Sequence, residues 1–184
     1  MRSLPIHTVS LALRHLVLED APALLRLNGE ESTRRWLPSH VYSDLSHAAA
    51  AAAYLVDCYA SPGDPRQGPY VLGVELRHSG QLLGHVGFSP LDDEVEVSYA
   101  IAEGFRGHGY GVEALVEACH WAADAFALSS LTAVTASANV ASRRALDRAG
   151  FSHRGDARIR FQGAAEEVSR YVWLPAISSA AARS

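Results

Sequence analysis

The chain has 184 residues, 48% hydrophobic and 20% charged, with a formal net charge of -4; this suits one globular domain with a substantial core and makes no electrostatic case for a nucleic-acid partner. All 16 residues in the Lys+Arg total are arginine, which excludes a lysine Schiff base, ordinary pyridoxal-phosphate chemistry and a Gly-Lys-Ser/Thr phosphate loop. No apolar run is long enough to span a bilayer, and the opening MRSLPIHTVS has no signal-peptide apolar core, so a cytoplasmic location is expected.

A first strand is expected at residues 11–13 or slightly beyond. Glu19-Asp20-Ala21-Pro22 opens a helix to about Leu27, with acids at its positive end. Residues 28–38 read as polar and irregular, and Trp36 and Leu37 among them need a surface to cover them. Asp44 or Ser46 caps a helix through residues 48–58, where an alanine run favours that state. Ser61-Pro62-Gly63-Asp64-Pro65 ends it. Strands at 70–76 and 82–88 flank Arg77-His78-Ser79-Gly80, a hairpin signal. Residues 89–93 turn the chain into the next strand.

Glu94–Ile101 alternates: Val95, Val97, Tyr99 and Ile101 on one face, Glu94, Glu96, Ser98 and Ala100 on the other. Val112, Leu115, Val116, Cys119, Ala123 and Phe126 then recur at helical spacing. Between strand and helix lies Arg106-Gly107-His108-Gly109-Tyr110-Gly111. Alternate glycines let main-chain N–H groups turn toward an anion, and the helix start adds unpaired N–H groups and positive dipole. A diphosphate is the natural guest; a plain strand-to-helix connection is the bland alternative.

A short strand follows at 131–136, then a helix at 141–149 stopped by Gly150. Residues 151–153, part of 158–161, and 168–173 supply the last strands, and a mobile tail is expected at 178–184. Cys58 and Cys119 fall in predicted helices and read as buried thiols. The order β-α-α-β-β-β-α-β-α-β-β describes an α/β (α+β) domain with a mixed sheet, antiparallel meanders and at least one βαβ crossover. No repeat or linker divides it.

Arg106, Gly109 and Gly111 match the Arg/Gln-x-x-Gly-x-Gly/Ala signature of the GNAT superfamily of acyl-CoA-dependent N-acyltransferases. Downstream, Asn139, Ser142 and Gly150-Phe151 resemble the Asn…Ser…Gly-Phe segment of the branch containing the N-terminal acetyltransferases of ribosomal proteins. Glu96-Val97-Ser98-Tyr99 is similar to that branch's Glu-Ile-Gly-Tyr. The resemblance spans residues 11–173. It implies a twisted, mostly antiparallel sheet of about seven strands with about four helices.

It also implies acetyl-CoA as co-substrate and direct transfer of the acetyl group to a primary amine in a ternary complex. Cofactor contacts would come from Tyr99, Ala100, Ile101, Arg106, Gly107, His108, Gly109, Tyr110, Gly111, Asn139, Ser142 and Arg143, with Arg144 a further candidate for the phosphates. An N–H beside Ala100 would polarise the thioester carbonyl. Glu96 is the candidate base, acting directly or through water; a solvated strand glutamate is its bland reading, and Glu94 and Glu103 are weaker candidates. Many family members carry a tyrosine seven residues after the asparagine; here that position is Leu146. Ser142 is the candidate donor to the departing sulfur, its bland reading being a first-turn serine bonded to its own backbone. Asn139 caps the helix, binds pantetheine, or does both.

The acceptor would be a protein N-terminus or a small-molecule amine such as a polyamine or an aminoglycoside. Acids at Glu30, Glu31, Asp44, Asp156, Glu166 and Glu167 suit a cationic acceptor, but Arg34, Arg35, Arg158 and Arg160 blur that reading. Exposed strands or the Trp36 region would serve a homodimer. The sequence contains no Gly-x-Gly-x-x-Gly, since Val112 stands where the third glycine should be, and no His-Glu-x-x-His or Gly-x-Ser-x-Gly. No metal and no nucleic-acid or membrane partner is expected. Two function classes stay open: an N-acetyltransferase, and a non-catalytic acyl-CoA-binding or sensing module on the same fold.

Overall fold

A computed structural model describes residues 3–161 and 164–175 of the chain; the tail expected at 178–184 lies outside the described residues. The strands are β1 (Ile6–His7), β2 (Leu11–His15), β3 (Tyr70–Leu76), β4 (Gln81–Leu91), β5 (Glu94–Ile101), β6 (Leu131–Ala136), β7 (Ser152–Phe161) and β8 (Ala164–Trp173). The helices are α1 (Ala21–Asn28), α2 (Glu31–Trp36), α3 (Leu45–Cys58), α4 (Tyr110–Phe126) and α5 (Val140–Arg148). The sheet order is β1-β2-β3-β4-β5-β6-β8-β7. Neighbours are antiparallel except β5 and β6, which run parallel across the α4 crossover.

The described residues contain eight strands and five α-helices rather than the expected seven and four. The extra strand is β1, two residues that pair Ile6 with Leu13 and are too short to show a period. The extra helix is α2, whose ESTRRW sequence carries no apolar stripe and buries only Thr33. β4 also runs beyond the expected end: Leu91 still pairs with Glu94, leaving Asp92-Asp93 as the turn. Asp92 sits at φ 50, a left-handed conformation that a short polar side chain tolerates. The strand pieces expected after Phe151 join into one, β7, bulged between His153 and Gly155.

Alternation along β3 divides the core between two faces. Tyr70, Leu72, Val74 and Leu76 join Leu115, Cys119, Trp121 and Ala122 of α4. Val71 and Leu82 turn the other way, against Leu16, Leu24, Ala48 and Ala52 under α1 and α3. Each buried leucine removes enough apolar surface to contribute about 2 kcal/mol. Asp44 caps α3 by accepting from the His47 amide at 2.9 Å. Cys58 and Cys119 are both buried free thiols, and burial pushes the Cys119 thiol far up, as an inert core residue requires. No described helix is long and apolar enough to cross a membrane.

Candidate active site

The turn after β5 is shaped by its glycines. Gly107 and Gly109 lie at φ 80 and 85, where a side chain is strained, and a Cβ at either would meet nothing within 4 Å. Their exposed main chain therefore fronts open space and does not pack inward. Gly109 is the N-cap of α4, and no side chain caps that helix start. The main-chain donors and the positive helix end are thus left uncapped, and the acid in the first turn, Glu113, is bonded to Thr8 and Ser10.

Arg106 braces this turn. Its Nε donates to the Ile101 carbonyl at 2.7 Å, and its guanidinium reaches Glu30 at 3.4 Å and Glu103 at 3.7 Å. Its amide already donates to the Glu103 carbonyl. Glu30 also accepts from the Glu103 amide at 2.9 Å, which ties the start of α2 to the turn. His108 folds back, its Nδ1 2.9 Å from the Arg106 carbonyl and its ring stacked on Tyr110.

β5 and β6 share one registered pair, Glu96 with Thr132, and then diverge. The opening is a cleft of about 350 Å³. Residues 97–101 form one wall, residues 133–135 and α5 the other, with the glycine turn at one end and Thr33, Trp36 and Leu37 of the α2 region covering part of it. Glu96 sits at the vertex. The Val134 amide donates to its carboxylate, yet burial outweighs that bond and holds the carboxyl above its ordinary range. The rival carboxylates are otherwise engaged. Glu94 accepts from Thr132 Oγ1 and Arg170. Hydrogen bonding from Ser32 holds Glu103 below the usual carboxylate range.

On the α5 wall, Asn139 Oδ1 accepts from the Ser142 amide at 3.1 Å, capping the helix. Ser142 hydrogen-bonds the phenol of Tyr99 across the cleft. Burial, partly offset by that bond, raises the Tyr99 pKa. Leu146, at the expected tyrosine position, is buried along the same wall. Arg143 turns away from the cleft, its Nε donating to Tyr171 Oη at 3.3 Å and Nη1 to the Ser137 carbonyl at 3.4 Å. Arg144 and Arg148 line the cleft in its place.

With this geometry in place, residues 10–152 match the family described as acetyltransferase (GNAT) domain. The chain belongs to the GNAT acetyltransferase family. Its reaction is that family's, transfer of an acetyl group from acetyl-CoA to an amine. No curated protein matches the chain in sequence.

Solved structures share this fold, among them three acetyltransferases. RimL, the ribosomal L7/L12 α-N-protein acetyltransferase in complex with coenzyme A, superposes at a TM-score of 0.78 and 15% identity, over 94% of this chain and 98% of that one. Ribosomal-protein-S5-alanine acetyltransferase from Vibrio fischeri does so at 0.77 and 16%, over 94% and 97%. The microcin C7 self-immunity acetyltransferase MccE, in complex with acetyl-CoA and AMP, does so at 0.75 and 15%, over 91% and 93%.

Around this GNAT cleft, ten of the expected contact residues converge as lining: Tyr99, Ala100, Ile101, Arg106, Gly107, Gly109, Tyr110, Gly111, Asn139 and Ser142. Glu96, His108 and Arg143 are not among the lining residues. Thr33, Phe105 and Thr135 line it without any sequence signal beyond neighbouring elements. The expected acceptor residues scatter. Asp44 caps α3, Glu30 braces the turn, and Asp156 accepts from Ser169 Oγ at 2.6 Å. Arg35 lies over the Trp36 ring at 4.5 Å.

His85, cross-strand from Ala100, is buried with Nδ1 unpartnered, and its ring lies 6.0 Å from that of His40. Burial, with some repulsion from His40, pushes its pKa down to about 3. The unfolded chain takes up that proton near pH 6.5 while the folded chain refuses it. Stability should therefore fall as pH drops from about 6.5 toward 3, by up to ~1.4 kcal/mol per pH unit from this group. Urea titrations across that range should show a shallower loss for His85→Gln. An unchanged slope would rule out the neutral, buried state of this ring.

Proposed function

We propose that the enzyme binds acetyl-CoA and a primary amine together and transfers the acetyl group directly, the acceptor being a protein or peptide N-terminus or a small-molecule amine. The observation that carries this reading is the cleft itself, an uncapped helix start and two left-handed glycines opening onto a split between parallel strands. The glycine turn offers amides to the diphosphate, and the exposed main chain of the split offers a strand-like edge to the amides of the pantetheine arm.

Glu96 takes the proton from the ammonium or attacking amine, directly or through water. The amine nitrogen forms its bond to the acetyl carbon as the carbon–sulfur bond breaks. The thiolate leaves with the Ser142 hydroxyl hydrogen-bonded to the sulfur and takes up the proton that Glu96 removed from the attacking nitrogen, any extra proton of an ammonium having gone to solvent, giving an amide and free coenzyme A. A raised carboxyl at Glu96 is the better base for this step, since its conjugate acid lies closer to neutral pH. The ribosomal-protein acetyltransferases among the structural neighbours favour a protein or peptide acceptor. The family match favours the enzyme over the non-catalytic module.

Acetyl-CoA at a hundred times its Kd should stabilise the fold by about 2.7 kcal/mol, raising Tm by roughly 5–10 °C. Release of free thiol on adding members of an amine panel, peptides included, should identify the acceptor class. No thermal shift at saturation defeats the reading; a shift without thiol release from any amine defeats its catalytic half.

A further inference from the structure

The cleft's charges are unequally committed. Arg106 is spent on Ile101, Glu30 and Glu103, and Arg143 on Tyr171 and Ser137. Arg144 and Arg148 remain. Both line the cleft, both are solvent-exposed, and neither has an ion-pair partner among the described residues. They stand four residues apart on α5, so they share a helix face and repel each other. No carboxylate lines the cleft to offset them. Ala141 and Ala145 lie on the same wall, and their small side chains leave the space in front of the helix open.

The glycine turn offers main-chain dipoles without a free full charge. Such a nest suits a diphosphate, whose charge is spread over two bridged groups. A terminal phosphomonoester is different. It carries close to two charges near neutral pH and presents oxygens that a guanidinium fork matches in pairs. Resting on the acetyl-CoA reading above, we propose that Arg144 and Arg148 form a second anion site for the 3′-phosphate of the coenzyme's ribose. They select the 3′-phosphorylated coenzyme over the form that lacks this group. Arg143, their neighbour in sequence, plays no part in this, because it is fixed against β8.

Isothermal titration of the full chain with coenzyme A and with 3′-dephospho-coenzyme A tests the assignment. The wild type should bind coenzyme A about tenfold or more tightly than the dephospho form. Arg144→Ala and Arg148→Ala should each weaken coenzyme A binding roughly three- to tenfold and leave dephospho-coenzyme A binding unchanged. The double variant should erase the preference, and the wild type's preference should shrink in high salt. Both residues are exposed, so the variants should keep the wild-type circular dichroism spectrum. Equal wild-type affinity for the two ligands overturns the assignment while leaving the acetyl-CoA reading intact. Variants that weaken both ligands equally also overturn it, by placing the arginines on the diphosphate. Failure of both ligands to bind the wild type overturns both readings together.

Discussion

Alanine at Gly109 is expected to weaken acetyl-CoA binding about tenfold or more and to cost ~1–2 kcal/mol of stability, whereas alanine at Gly104 should change neither. Space does not distinguish the two sites, because a Cβ at either meets nothing within 4 Å. Only the backbone does: Gly109 sits at φ 85 and Gly104 outside the left-handed region. A Cβ at Gly109 must hold that strain or let the turn relax toward negative φ. Relaxation swings the amides at the start of α4 away from their common focus. The losses in affinity and in stability should therefore appear together. Gly107→Ala, at φ 80, should behave like Gly109→Ala. Calorimetric Kd values and urea unfolding of the three variants give both quantities. Similar behaviour of Gly104→Ala and Gly109→Ala would mean that the turn's conformation does not form the anion site.

The same turn shows what was readable in the sequence. The order of β5, the glycines and α4 rests on local patterns, a period of two, a left-handed backbone and a period of 3.6. Neighbouring residues encode all three, and the structure follows them. α2 has no such encoding. It has no apolar stripe, and its entry is held by the Glu30 carboxylate on the Glu103 amide, a contact across 73 positions of chain. β7 escapes for a related reason: residues 152–160 are all exposed, so no alternation of burial marks the strand. The glycine-rich turn and the Asn139–Ser142 cap could be placed by spacing, but the separate fates of Arg143 and Arg144 could not. Adjacent residues on a helix point about 100° apart, and which one meets the cleft depends on how α5 is rotated against β6. The cleft likewise comes from β5 and β6 parting after a single pair, a property of sheet twist that neither strand carries alone.

Glu96→Gln should lower kcat at neutral pH by about a hundredfold or more, the usual contribution of a positioned general base. Its acetyl-CoA affinity should be unchanged, because Glu96 stands at the vertex and not among the cleft-lining residues. Glutamine keeps an oxygen to accept from the Val134 amide, so the split between β5 and β6 stays supported. Stability should move the opposite way from activity. The unfolded chain ionises this carboxyl from about pH 4.5, while in the folded chain burial holds the proton to higher pH. Wild-type stability therefore declines as pH rises from 4.5 through the raised folded value, and the deficit persists above it. Glutamine carries no such penalty, so the variant should unfold at a slightly higher temperature than the wild type at pH 7 and at the same temperature well below pH 4.5. In the pH profile of kcat, the acidic limb belonging to Glu96 should vanish, leaving only the acceptor amine's own titration. Loss of activity with lowered Tm would point to structural damage. Turnover within about threefold of wild type would remove Glu96 from the proton transfer and return the search for a base to water reached through the cleft. A carboxyl whose ionisation costs the fold stability, placed where two strands separate, is best explained by the proton it takes.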